Sequence, residues 1–248
     1  MKFHIGTSGW VYDDWQGIFY PKGLSRAKWF EFYNRNFTTV ELNSSFYHLP
    51  SEKAFATWRA KSSKDFTYAV KATRFITHLK KLRNTEESVA TFLERVQILG
   101  EKLGPVLYQL PPSMRRNEAV LKSFLELLPN HLHHVFEFRN ESWFDEAVFD
   151  LLRRNNIGFC IYDMPGFTTP LVVSADFAYL RFHGGEHLYG SCYSKAEIAE
   201  WARRIAQLGQ GLTSVYVYFN NDVEGFAVKN AKELSKMLRK LVGGDPSE

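Results

Sequence analysis

The sequence predicts an α/β fold: an eight-stranded parallel β/α barrel of the TIM type, in one domain over residues 1–248. Three observations predict it. Short β-rich runs recur eight times, helix-like segments separate them, and no Gly/Ser-rich linker, charge block or composition shift divides the chain. The alternative is an open doubly wound sheet, which places a Gly-rich phosphate loop after its first strand. Gly6-Thr7-Ser8-Gly9-Trp10 has the wrong glycine spacing for that loop and runs into a long aromatic segment.

The expected strands are 3–7, 39–43, 67–71, 106–110, 135–139, 157–162, 178–183 and 215–220, most of them bounded by Gly, Pro, Asn or Ser. Between them lie helical patterns. Ser25 is placed to cap a helix running to Asn36, and Ser51 opens the next, with Phe55 and Trp58 three apart. Thr85 opens a long helix to Lys102 in which Val89, Leu93, Val96 and Leu99 keep helical spacing. Asn117 starts a helix carrying Val120, Leu121, Phe124 and Leu128; segments 144–154, 194–208 and 226–241 follow. Ser194-Lys195-Ala196-Glu197 reads as a capping box. Segment 165–175 holds Pro, Gly and Thr, so the sixth helix is expected to be irregular or shortened.

Composition narrows the function classes. A net charge of +4 with interleaved signs permits an anionic ligand and argues against nucleic acid as the main partner. The two cysteines, Cys160 and Cys192, have no zinc or disulfide spacing and suit a reducing compartment. The opening residues are broken by Gly too soon for a signal peptide, and no apolar stretch approaches the roughly 20 residues of a membrane span. The expected location is the cytoplasm, without a membrane partner.

Period-2 alternation divides each strand into two faces. Phe136 and Phe138 oppose Glu137 and Arg139; Leu180 and Phe182 oppose Arg181 and His183; Val40 and Leu42 oppose Glu41 and Asn43. Val217 and Phe219 likewise oppose Tyr218 and Asn220. If the apolar faces meet the helices, the polar set points to the barrel axis, joined by Lys71, Gln109 and Tyr162. Most of these residues sit late in their strands and would meet at the C-terminal mouth, where barrel enzymes place their chemistry. A structural ion network is the competing reading, since charges on a barrel axis cost several kcal/mol each unless paired.

The motifs that carry these residues resemble a known family. They are Gly6-Thr7-Ser8-Gly9-Trp10 with Tyr12, Trp15 and Phe19-Tyr20-Pro21, then Val40-Glu41-Leu42-Asn43-Ser44-Ser45-Phe46-Tyr47 with Pro50, and Val70-Lys71. Gln109-Leu110-Pro111-Pro112-Ser113, Glu137-Phe138-Arg139 with Ser142-Trp143, Tyr179-Leu180-Arg181-Phe182-His183-Gly184 and Val217-Tyr218-Phe219-Asn220-Asn221 complete the set. In this order they are similar to the YecE-like family, domain of unknown function 72. The resemblance implies a TIM-type barrel in a cytosolic, widely distributed prokaryotic protein, and no established activity, substrate or cofactor.

Each candidate has two readings. Glu137 and Glu41 could act as an acid–base carboxylate pair, as in glycosidases, or each could pair with a neighbouring cation. Lys71 could form a Schiff base; an anion-binding or ion-paired lysine is the better expectation beside carboxylates. His183 with the carboxylates could hold a metal, but so many cations nearby argue against one, and His183 is expected to be a hydrogen-bonding or acid–base group. Arg139, Arg181 and Lys71 suit a phosphate or carboxylate, with Gln109, Asn220 and Asn43 orienting it. Trp10, Tyr12 and Tyr47 could form an aromatic wall with Trp143, against a second small core sealing the mouth, in which Trp15 and Phe19 fit equally well. No metal and no cofactor is expected.

These readings lead to an enzyme acting on a small polar anion, such as a phosphorylated sugar or nucleotide-like molecule. Glu137, His183, Lys71 and Glu41 are its catalytic candidates. A non-catalytic metabolite-binding or regulatory barrel is the first alternative. A metal-dependent nucleic-acid-processing barrel or a sugar hydrolase or isomerase is the second. Oligomeric state is left open.

Overall fold

Nine strands and eight α-helices run through residues 1–243, which a computed structural model describes. In chain order they are β1 (Lys2–Thr7), α1 (Trp29–Asn36), β2 (Thr39–Leu42), α2 (Ser44–Tyr47), α3 (Glu52–Lys61), β3 (Thr67–Lys71), α4 (Glu86–Val96) and β4 (Leu103–Gln109). Then come α5 (Glu118–Leu125), β5 (His134–Glu137), α6 (Glu146–Arg154), β6 (Gly158–Met164), β7 (Phe167–Thr168), β8 (Phe177–Phe182), α7 (Lys195–Leu208), β9 (Ser214–Phe219) and α8 (Phe226–Val242). The strand order is β1-β9-β8-β6-β5-β4-β3-β2, with β7 added antiparallel to β6. Strands alternate with helices in the β/α barrel pattern the sequence predicts. Among the described residues no helix is long and apolar enough to cross a membrane.

The chain gathers into two compact units. One comprises Glu41–Cys160 and Val172–Ala175. Here β3, β4 and β5 pair in parallel, with Tyr108 beside Phe136 and Gln109 beside Glu137. The rings of Tyr108 and Phe136 stack at 5.2 Å, and Phe124 of α5 meets both edge-on. Phe159 of β6 takes Phe149 of α6 edge-on at 5.1 Å. The apolar strand faces therefore look to the helices, as alternation requires, and each ring pair adds about 0.5–1.5 kcal/mol beyond its burial.

The other unit comprises Met1–Val40, Ile161–Leu171 and the described residues from Asp176 onward. In it β8, β9 and β1 pair in parallel, with Leu180, Val217 and Ile5 abreast and Arg181, Tyr218 and Gly6 abreast. Phe182 stacks on Phe219 at 4.9 Å and meets Trp201 of α7 edge-on. The hydrogen-bonded path ends at β1 and at β2. Side chains close that seam. The Tyr33 hydroxyl of α1 accepts from the Thr7 N–H at 3.1 Å and donates to the Thr39 carbonyl at 3.0 Å, and Thr39 Oγ1 lies 2.7 Å from the Tyr218 hydroxyl. A β-carbon on Gly6 would collide with the Thr39 carbonyl, so only glycine lets the two strands come this close.

Three of the expected helix starts are capped by the residues that the sequence offers: Ser51 and Asn117 each accept a backbone N–H, and Ser194 with Glu197 forms the full capping box. Asp145, which the sequence reading does not single out, caps α6 in the same way. Two expectations need correction. Ser25 makes no side-chain cap; a 3-10 turn over Arg26–Lys28 precedes α1 instead. The long helix 85–102 stops at Val96 and tightens into 3-10 structure, because Gly100 takes φ 57° and turns the chain towards β4. The weak sixth unit has no helix. Pro165 and Gly166, the latter at φ 71°, turn β6 back onto β7.

Candidate functional site

In the first unit, polar groups collect at the C-terminal ends of β2 to β5. Glu41, fully buried, lies near the end of β2, and Asn43 follows it at the start of α2. Ser45 of α2 donates to the Lys71 carbonyl at 2.6 Å, which ties the end of β2 to the end of β3. The Lys71 ammonium lies 4.3 Å from the centre of the Phe46 ring, a cation–π contact that desolvates it on one side. Gln109 and Glu137 are register partners at the ends of β4 and β5, and Lys71 pairs with Leu107, one layer below on the same face.

Glu137 is fully buried, and Arg139, two residues on and 12% exposed, hydrogen-bonds its carboxylate through Nε. The Cys160 thiol of β6 points at the other carboxylate oxygen at 3.8 Å. A buried carboxylate is tolerable only with such partners. Asn43 Oδ1 is buried and has no hydrogen-bond donor among the described residues, so it is an acceptor in want of one.

A five-residue π-helical turn, Phe75–Leu79, follows β3 and was not anticipated. It carries His78, half-buried, whose ring meets Phe46 edge-on at 5.0 Å. Burial holds the His78 pKa below its usual value; Lys71 and Arg74 push the same way and Glu137 opposes them. Lys71 and Glu137 thus both lie within electrostatic reach of His78. Pattern reading missed His78 because nothing in the residues 73–80 announces a π turn. The short distance in sequence from Lys71 is the one available signal.

In the second unit Arg181 lies near the end of β8 and His183 directly follows it, both buried, and Asn220 follows β9. Asn220 Nδ2 lies 3.1 Å from His183 Nδ1. An amide nitrogen only donates, so Nδ1 accepts and the proton of a neutral His183 sits on Nε2. The His183 N–H donates to the Asp163 carbonyl at 2.9 Å, and Asp163 Oδ2 accepts from Tyr193 at 2.8 Å. Burial raises the Asp163 pKa above the ordinary carboxylate range against the pull of Thr168 and Tyr193.

The aromatic loop is a small core of its own. Trp10, Trp15, Phe19 and Tyr20 are buried together, the Tyr20 hydroxyl donates to the Trp10 carbonyl at 2.5 Å, and Tyr12 donates to the Ser8 carbonyl. Trp143 is also core: it stacks on Phe138 at 4.8 Å and donates to the Met114 carbonyl. Tyr47, by contrast, is exposed at the end of α2, edge-on to Phe46. Glu41, Asn43, Lys71, Gln109, Glu137 and Arg139 thus lie in one unit, and Arg181, His183 and Asn220 in the other.

The family described as "Protein of unknown function DUF72" matches residues 4–247. The chain is 26% identical to the UPF0759 protein YunF of Bacillus subtilis over 95% of its own length and 94% of that protein. It is 30% identical to the UPF0759 protein YecE of Escherichia coli over 57% of its length and 50% of that protein. A crystal structure of a DUF72 family protein from Thermotoga maritima matches at TM-score 0.88 and 30% identity, covering 96% of this chain and all of that one. A xylose isomerase-like TIM barrel fused to a 4-hydroxyphenylpyruvate dioxygenase matches at TM-score 0.53 and 14% identity, over 98% of this chain and 44% of that protein. That likeness concerns the fold alone, a β/α barrel.

Proposed function

This chain belongs to the DUF72 family, and on that premise we propose that it is an enzyme acting on a small polar anion, a phosphorylated sugar or nucleotide-like molecule, at the C-terminal ends of its strands. The observation that carries the reading is the cluster on β3, β4 and β5. Lys71 and Arg139 supply positive charge, Gln109 and Glu137 lie side by side, and Asn43 Oδ1 offers an unsatisfied acceptor. Arg binds phosphate or carboxylate through a planar fork, and Lys as a point charge. Glu137 and Glu41 are its carboxylates and Lys71 the principal anion contact. Arg181, His183 and Asn220 form a second polar group, with His183 disposed to donate from Nε2.

The protein is further proposed to be one barrel domain working in the cytoplasm. Among the described residues Cys160 and Cys192 form no disulfide, which suits a reducing compartment. The reading is tested by thermal shift against inorganic phosphate, sugar phosphates and nucleoside monophosphates. Stabilisation that Lys71→Ala abolishes without lowering the melting temperature of the unliganded protein supports it. Stabilisation unaffected by that change places the anion elsewhere. A ligand that binds through Lys71 but is never consumed favours the non-catalytic metabolite-binding barrel.

A further inference from the structure

We propose that His78, presented by the π-helical turn after β3, is the general base of this site, held as the Nδ1–H tautomer so that Nε2 keeps a lone pair for the substrate. The inference rests on the anion-site reading above and adds a residue to it.

Its starting point is one hydroxyl. Thr77 Oγ1 is buried, lies 3.3 Å from the Thr73 carbonyl as a donor, and lies 2.9 Å from His78 Nδ1. A hydroxyl has one proton, and a carbonyl can only accept. Both bonds are made together only if Thr77 gives its proton to Thr73 and His78 Nδ1 gives its own to Thr77. A neutral imidazole protonated on Nδ1 has its lone pair on Nε2, and a base needs that lone pair.

The surroundings keep the ring neutral. Phe46 covers one side edge-on and carries the Lys71 ammonium over its face. The charged groups acting on the ring are Lys71 from β3, Arg74 from the same turn and Glu137 from β5. Two cations and partial burial outweigh the one carboxylate, so the imidazole is free of a second proton at neutral pH. An anionic substrate on Lys71 would reverse part of that balance, and the ring would become a stronger base once the ligand is bound.

The backbone supports a functional placement. The Lys80 N–H reaches back five residues to the Phe75 carbonyl, and the Leu82 N–H bonds the Ile76 carbonyl. π turns are rare and are frequent at functional sites. The turn begins at Phe75, with three residues between it and Lys71, the last residue of β3. In the proposed step His78 Nε2 takes a proton from a hydroxyl or an acidic C–H of the bound anion and the electron pair stays on the substrate. The proton returns to the substrate when product forms, so no other reactant is required.

Histidine-ring 1H–15N correlation spectra of the labelled full chain test this, with His78→Gln identifying the His78 signals. The expected result at pH 7.5 is the Nδ1–H tautomer, a pKa below that of an exposed histidine, and a rise in that pKa when inorganic phosphate is added. Thr77→Val should shift the ring towards the Nε2–H form. The phosphate dissociation constant should weaken about tenfold in Lys71→Ala and less than about threefold in His78→Gln. An Nε2–H ring in the wild type overturns the proposal. So does a His78 pKa that phosphate leaves unmoved while binding still depends on Lys71; in that case the anion site stands and the base does not. Phosphate binding that ignores Lys71 overturns both.

Discussion

The Tyr33 hydroxyl donates to the carbonyl of Thr39 at 3.0 Å and so holds the second strand to the first, whose Thr7 N–H it accepts at 3.1 Å. One phenol thus does at this seam what a ladder of backbone bonds does elsewhere. Burial pushes its pKa well above that of a free tyrosine, so it remains a donor throughout the working pH range.

Tyr33→Phe keeps the ring and removes the bridge. It leaves a buried N–H and a buried carbonyl without this partner, and the loss should be about 1–3 kcal/mol. Urea unfolding should show a lower midpoint at unchanged slope, and amide exchange at Thr7 should accelerate. An unchanged midpoint would mean that water replaces the hydroxyl at no loss.

Gly6→Ala tests the same seam from the other side. The added methyl meets the Thr39 carbonyl, which is backbone and cannot rotate away. Overpacking of this kind costs about 1–3 kcal/mol. A melting temperature equal to that of the parent would show that β1 and β2 can separate freely.

Arg139→Ala strips a buried carboxylate of its bonded cation, and about 3 kcal/mol of stability should go with it. The double variant Glu137→Gln, Arg139→Met should recover much of that loss, because it removes the charge together with its partner. A double-mutant cycle in urea reads the coupling. If the single and double variants are equally unstable, the pair is not what makes Glu137 tolerable.

Acid sensitivity follows from two histidines outside the site. Burial, with Lys2 adding to it for His4, lowers both His4 and His134 to about 4. Their folded-state values lie below the unfolded 6.5, so the unfolded chain binds more protons between these limits. Their stabilising contribution is complete above pH 6.5 and is lost as pH falls from 6.5 towards 4. Each should lower stability by about 2 kcal/mol between pH 7.5 and 5, measured as urea midpoints. A flat profile over that interval would contradict it.

Much of this was legible in the chain. Alternation separated Glu137 and Arg139 from Phe136 and Phe138, because a strand buried on one face by helices must show its period. Ser194 and Glu197 announced their capping box, since both partners lie within one helical turn. Other features depend on groups far apart in sequence or on unusual backbone. The Tyr33 bridge joins residues 7 and 39 through a third element, and no local pattern encodes that. The π turn around His78 follows no hydrophobic period, and Gly100 ended a helix that the spacing of Val89, Leu93 and Val96 would have continued. Trp143 carries the same aromatic signal whether it lines a pocket or fills a core, and Phe138 decides for the core.

The seam also sets an order of events during synthesis. The first strand takes its ladder bonds from β9, residues 214–219, so it must wait until those residues have left the ribosome. Residues 41–160 have no such dependence, because their strands pair with near neighbours. β1 is synthesised long before the strand it pairs with, and until that strand appears its unpaired edge is open to a wrong partner.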